Sequence, residues 1–359
     1  MAFRSILSAC LAVALTSMTT APASAQVGTE QPPVVEGAAK VRIDRITVHS
    51  DAIDGNLMGT SAERDVHVVL PPSYDQNPDR RYPVVYALHG YWVKAEQWLK
   101  EVHMPQTAEG AFANGVPEMI LVFPDSWNEY NGSFYSDSPT TGDFEHFIAD
   151  ELIDYVDRNY RTIARPESRG LVGHSMGGYG ASRIGIKHAE KYGALYLMAP
   201  CCQSPMGSRG LTAQDVQTIE AVPSVAAAQG LPGNLRSALA VAAAFSPDPD
   251  AAPLYLDLPV DAQGKEREDV IARWTANTPI SFLDQHVDAV KAYRGIAIDV
   301  GDKDFLLDDV RLLHGALQAQ GIDNTLDVYD GDHTNRLGFR MQEHVLPFFG
   351  RTLVQEPAQ

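Results

Sequence analysis

Gly173-His174-Ser175-Met176-Gly177 sets a serine between two glycines, straight after the apolar pair Leu171-Val172 and straight before a helical stretch. A serine hydroxyl is a weak nucleophile; it needs a base beside it and an acid to orient that base. A sharp strand-to-helix turn here would hold Ser175 in a strained backbone and project its hydroxyl from the sheet edge. The N-terminus of the following helix would then add partial positive charge where a tetrahedral oxyanion forms. Glycines fit on either side because side chains would collide across such a turn. Gly-x-Ser-x-Gly recurs by chance in surface turns, so its place between a buried strand and a helix carries the weight.

With this kind of turn, the acid and then the base follow the serine along the chain. Tyr329-Asp330-Gly331-Asp332-His333-Thr334 is a polar loop leading from the last strand pattern into a helix, which singles out His333 as the base from 11 histidines. Ile298–Phe305 offers three aspartates before it. Asp299 lies within a strand pattern. Asp304, three residues after Gly301 and just before a helix, is the expected acid, with Asp302 as the alternative; either could instead be a solvated or helix-capping aspartate. Oxyanion stabilisation needs two backbone N–H donors, one from the residue after the serine and one from the loop after the third strand. These are Met176 and, in His89-Gly90-Tyr91-Trp92, Tyr91, with Trp92 next. Trp92 and His174 are the candidate substrate contacts, although aromatic rings here could equally pack on the core. The loop Asn128–Thr141 is polar and aromatic and could meet substrate or solvent.

No His-Glu-x-x-His or paired-cysteine metal spacing occurs, and the acid-rich Asp299–Asp309 lacks the Asp-x-Asp-x-Asp-Gly pattern of a calcium loop. No metal or cofactor is therefore expected. His146, His188, His286 and His314 fall on helical patterns as surface or half-buried residues. Cys201-Cys202 reads as two small buried hydrophobes in preference to a redox-sensitive pair.

The elements that must position these groups alternate. Strands are predicted at Arg42–Val48, Val66–Leu70, Val84–Leu88, Met119–Phe123, Gly170–Gly173, Ala194–Met198, Ile296–Val300 and Thr325–Tyr329. Several are continuous apolar runs, as expected of strands covered on both faces. Helices are predicted at Asp143–Asn159, Met176–Lys191, Leu307–Gln320 and Arg336–Phe349, so the sheet should be mostly parallel and wrapped on both sides. The first two or three strands lack helices between them and should be antiparallel. Residues 203–290 break the rhythm; they are rich in Ala, Pro and Asp, with helical pieces at Ala213–Ala221, Leu235–Ala244 and Glu266–Asn277. They read as a lid-like insertion into one domain spanning 40–350.

With 359 residues, 45% hydrophobic and 21% charged, the chain can bury a large core. A formal charge of −18 disfavours nucleic acid and anionic lipid as partners. Arg4, the apolar run Ile6–Leu15 and Ala23-Ser24-Ala25 make residues 1–25 a secretory signal peptide, cleaved after Ala25. That run is shorter than the roughly 20 residues a bilayer span needs, so no stable membrane insertion is expected. A lipoprotein tether at Cys10 is disfavoured, because too short an apolar run precedes it. Residues 26–39 read as a flexible leader and 351–359 as a C-terminal tail.

Taken together, these residues resemble the esterase D-like group of α/β-hydrolases, which includes S-formylglutathione hydrolases, feruloyl esterases and antigen 85 mycolyltransferases. The likeness rests on Tyr82-Pro-Val-Val-Tyr-Ala-Leu-His-Gly90, Gly142-Asp-Phe-Glu-His-Phe-Ile-Ala-Asp-Glu-Leu152 and Arg169-Gly-Leu-Val-Gly-His-Ser-Met-Gly-Gly-Tyr179, with Gly301-x-x-Asp304 and Gly331-Asp-His333-Thr. It runs from Arg42 to Phe349 and is weak across 203–290. The resemblance implies an eight-stranded α/β-hydrolase fold, Ser175 as nucleophile, Asp304 as acid and His333 as base, and cofactor-free ester chemistry. The expected protein is a secreted or periplasmic serine carboxylesterase acting on a small-molecule or polysaccharide-linked ester. An acyltransferase, a serine peptidase of the same fold and a catalytically inactive binding module are the alternatives.

Overall fold

Eight short runs of the chain pair into one sheet in a computed structural model that describes residues 28–355. The expected signal peptide, its cleavage point and Cys10 lie outside the described residues. The strands are β1 (Arg42–His49), β2 (Glu63–Leu70), β3 (Val84–Leu88), β4 (Ile120–Pro124), β5 (Arg169–His174), β6 (Ala194–Met198), β7 (Gly295–Gly301) and β8 (Thr325–Tyr329). Their order across the sheet is β1-β2-β4-β3-β5-β6-β7-β8. β2 runs antiparallel to both β1 and β4, whereas every pair from β4 to β8 is parallel. This is the mostly parallel eight-stranded α/β-hydrolase architecture expected from sequence, with the third strand already parallel.

β3, β4, β5 and β6 are buried along their whole length. Both faces are covered, so these strands need apolar residues at every position and show no polar alternation. The two-residue period survives in the packing. Val84, Tyr86 and Leu88 enter one core cluster, while Val85 and Ala87 enter the cluster on the opposite face. β1 and β8 close the two edges and stay partly exposed.

Two predicted helices contain a π-helical turn. Phe144–His146 passes through Phe147–Glu151 into Leu152–Asn159, and Leu337–Arg340 passes through Met341–Val345 into Leu346–Thr352. The second runs into the expected tail, and the Val354 N–H donates to the Glu167 carbonyl at 2.9 Å. Two helices between β3 and β4, Ala95–Glu101 and Gln106–Ala113, escaped the sequence pattern because they are short and Pro105 separates them. Their burial still matters to the site, since Trp98 from the first lies flat on His174.

Within 203–290 the helices Ala213–Glu220, Gly233–Phe245 and Glu268–Ala276 pack onto the sheet's own core. Phe245 sits 5.6 Å from Phe134 and 5.4 Å from Tyr179, ring to ring. The Asn277 carbonyl accepts from the Tyr179 hydroxyl at 2.8 Å. Within the stretch read as a flexible leader, residues 29–32 make contacts with the domain. Thr29 meets His103 at 2.8 Å, the Glu30 N–H donates to the Asn335 carbonyl at 2.7 Å, and Pro32 is buried. A Pro/Gly-rich composition signals missing secondary structure, not missing contacts.

Candidate active site

β5 ends at His174, the helix Met176–Lys187 begins one residue later, and Ser175 makes the turn between them. Its backbone sits at φ 57°, ψ −114°, a conformation costing on the order of 1–3 kcal/mol for a residue with a side chain. Three backbone bonds hold it there. The Ser175 N–H donates to Met198 at 3.0 Å, and its carbonyl accepts from Tyr179 at 2.9 Å and Cys201 at 3.1 Å. The flanking glycines are steric necessities. A Cβ on Gly173 would stand 1.9 Å from the Gly177 carbonyl oxygen, and one on Gly177 would stand 2.1 Å from that of Leu88.

His333, from the loop after β8, brings Nε2 to 3.0 Å from Ser175 Oγ. Asp304, from the loop after β7, places Oδ2 2.8 Å from His333 Nδ1, and its carboxylate side chain is fully shielded. Its other oxygen accepts from the Leu306 N–H at 2.8 Å, which fixes the carboxylate plane. The remaining aspartates are used elsewhere. Asp302 laces the two loops together, accepting from the Gly331 N–H at 3.1 Å, while the Lys303 N–H donates to the Gly331 carbonyl at 3.0 Å. Asp299 is buried under the sheet's edge, where Arg340 donates at 2.7 Å and Tyr196 at 2.8 Å. Burial raises its carboxyl above the usual range, with the Arg340 charge opposing.

Among the described residues, neither the Tyr91 nor the Met176 backbone N–H has a hydrogen-bond partner. Trp92, the alternative donor, is already committed, its N–H donating to the Asn131 carbonyl at 3.0 Å. The loop bearing Tyr91 is held from below by the buried His89. Its Nδ1–H donates to Gly90 at 2.9 Å and its Nε2 accepts from the Ser126 N–H at 2.8 Å, a division of roles that defines the neutral tautomer. Nothing in the sequence pattern marked His89 or Ser126 for this role.

A cavity of about 480 Å³ opens in front of Ser175, walled by Tyr91, Phe134, Met176, Cys201, Cys202 and residues of the insertion. Phe134 comes from the polar aromatic loop, which therefore does reach the site. The two cysteines face the cavity with sulfurs 2.7 Å apart, one half-buried and one buried. Burial, reinforced by the neighbouring sulfur, pushes the Cys201 thiol well up. Phe305 went unnoticed in the sequence although it adjoins Asp304. It is 78% exposed, lines the cavity, and its ring stands 4.7 Å from that of His333.

The two expected substrate contacts lie elsewhere. His174 is buried behind the serine, stacked on Trp98 at 5.6 Å and 8°, with Nε2–H donating to the His333 carbonyl at 2.8 Å. The residue before Ser175 ends a strand, so its side chain alternates to the face away from the hydroxyl. Burial and then the nearby His333 hold its pKa far below the ordinary value, and the ring is neutral. Trp92 is outside the cavity wall, with the Arg236 guanidinium 4.0 Å over its ring. His146, His188, His286 and His314 are exposed or half-buried. Among the described residues no group of three or more His, Cys, Asp or Glu side chains is arranged to hold a metal, and no helix is long and apolar enough to cross a membrane.

Comparison with known proteins points the same way as the geometry. The Esterase family model matches residues 58–342. The chain is similar to an endo-1,4-beta-xylanase/feruloyl esterase of Xylanibacter ruminicola, 27% identical over 143 residues, which are 37% of this chain and 19% of that protein. It is also similar to an esterase of Mycobacterium tuberculosis, 29% identical over 148 residues, 40% of this chain and 30% of the other. The matched stretch thus spans less than a third of either relative. Among solved structures, a ferulic acid esterase superposes with a TM-score of 0.63 at 23% identity, covering 88% of this chain and all (100%) of the other. An S-formylglutathione hydrolase of Staphylococcus aureus gives 0.56 at 15%, covering 87% and 100%. At these identities the likeness to the solved structures is one of fold.

Proposed function

The chain belongs to the Esterase family, and from that premise we propose that it hydrolyses carboxylic esters through an acyl-enzyme on Ser175. The observation that carries the reading is the relay Ser175–His333–Asp304, with contacts of 3.0 and 2.8 Å, at the wall of an open cavity. Ser175 Oγ attacks the ester carbonyl carbon while His333 Nε2 takes its proton. Asp304 holds the Nδ1–H and so fixes both the tautomer and the plane of the ring, and it stabilises the imidazolium that forms. The carbonyl oxygen, now an oxyanion, is received by the free N–H groups of Met176 and Tyr91; one such donor is worth about 10²–10³ in rate. The tetrahedral adduct collapses as His333 returns the proton to the departing alcohol oxygen. Water then enters, gives a proton to His333 and attacks the acyl carbon; the acid leaves and Ser175 regains its hydrogen.

Export is part of the same proposal and rests on the first 25 residues. The insertion 203–290 acts here as a side wall, because Ser204, Met206 and Ser237 line the cavity beside Ser175. The test is covalent labelling by a fluorophosphonate together with hydrolysis of p-nitrophenyl acetate. Both should be lost in Ser175→Ala with the melting curve unchanged. Labelling that persists in this variant would refute the assignment.

A further inference from the structure

Two arginines of the insertion, Arg209 in the wall of this cavity and Arg236 next to the wall residue Ser237, have no acidic partner among the described residues. Arg209 is the cation in the cavity wall, and among the described residues it makes no ion pair; one of its N–H groups points at the Met206 sulfur at 3.2 Å. The carboxylate in the same wall, Asp309, is spent on the chain itself. It accepts from the Gln203 N–H at 2.8 Å, the Ser204 N–H at 3.1 Å and the Ser204 hydroxyl. Arg236 lies over Trp92, whose ring is 5.6 Å from that of Tyr91. Its polar contact is a long 3.4 Å bond to Gln229, and its Nε is buried without a partner. Tyr91 and Ser237 both line the cavity, so Arg236 adjoins its wall through its sequence neighbour and through the Trp92–Tyr91 ring pair. In a chain with 46 acidic and 28 basic residues, carboxylates are plentiful. Two arginines left unpaired beside one cavity mark a place where a charge from outside is accommodated.

We propose that the ester turned over at Ser175 carries an anionic group, a carboxylate or similar oxyanion, received by Arg209 and Arg236; this rests on the reading of Ser175 as the nucleophile. A guanidinium offers a planar fork of donors that matches a carboxylate in two parallel bonds, and Arg209, exposed at the cavity mouth, is open to a ligand from solvent. The net charge of −18 repels anions at long range, so any preference for them must be made locally, at the cavity.

The experiment uses two matched pairs of esters on the full chain at low ionic strength. In one, the charge is on the acyl side: the p-nitrophenyl monoester of adipic acid against its terminal carboxamide. In the other it is on the alcohol side: acetylated 4-hydroxybenzoate against acetylated 4-hydroxybenzamide. The charged member of one pair should have at least a tenfold higher kcat/KM, and which pair shows it identifies the side. That ratio should fall towards one in Arg209→Gln and in Arg236→Gln, and Arg209→Lys, which keeps charge but not the fork, should recover part of it. Melting curves of each variant show that it is folded. A wild-type ratio of one or below in both pairs, or a tenfold ratio that survives the double glutamine variant, overturns the proposal while hydrolysis of the neutral esters leaves the esterase reading standing. Hydrolysis of none of the four esters refutes both.

Discussion

His174→Phe is the variant that separates positioning from substrate contact at this site. The imidazole is 5% exposed and stacked on Trp98, and it gives the His333 carbonyl a hydrogen bond of 2.8 Å. Phenylalanine keeps the ring and the stack but removes the donor. No charge is lost, since burial already holds His174 neutral. What remains is a carbonyl deprived of its partner, at a cost of about 1–3 kcal/mol. The same bond sets where the His333 backbone lies, and a displacement of about 1 Å at a catalytic group is worth on the order of 10² in rate. The expected outcome is therefore a kcat lowered by about 10- to 100-fold on p-nitrophenyl acetate, KM little changed, and a Tm a few degrees lower. His174→Gln, whose amide nitrogen can reach the same carbonyl, should recover most of kcat. A Phe variant with wild-type kcat and a raised KM would refute this reasoning and return His174 to the substrate.

Asp304→Asn should lower kcat by about 10³- to 10⁴-fold, because the amide favours the wrong imidazole tautomer, whereas Asp302→Asn, which keeps an oxygen for the Gly331 N–H, should stay within about tenfold. Steady-state kinetics on the two variants decide between the acids. Gly177→Ala should yield little folded protein, since its methyl group would meet the Leu88 carbonyl oxygen at 2.1 Å in the body of the sheet; normal yield and a normal melt would contradict that. Glu145 is held down at about 2, against a buried position, by His188, Arg183 and Lys187. Its folded pKa lies below the unfolded one, so its contribution is full above about pH 4.5 and is lost as pH falls towards 2. The shift corresponds to something on the order of 3 kcal/mol at neutral pH. Urea titrations of Glu145→Gln should show the loss at pH 7 and a flatter decline of stability between pH 4.5 and 2; a decline as steep as in the wild type would refute it.

What the sequence made legible follows from how far each signal travels along the chain. Ser175 is readable because its demands are local: the strand, the two glycines and the helix that impose φ 57° are within a few residues of it. His333 and Asp304 are readable because each loop directly follows a strand, and a parallel sheet sets the loops after β5, β7 and β8 along one edge. Choosing Asp304 over Asp302 needed the side-chain direction, which the pattern of residues leaves open. The cavity wall was out of reach for a different reason. Met206, Arg209 and Ser237 approach Ser175 only through the packing of 203–290 on the core, and that packing has no periodicity to betray it. His174 failed for the opposite reason, its nearness to Ser175 in sequence suggesting a shared face when strand alternation sends neighbouring side chains to opposite ones. Under the proposed function the chemistry is thus encoded in short motifs, and substitutions in 203–290 should change which ester is taken far more than whether esters are cleaved.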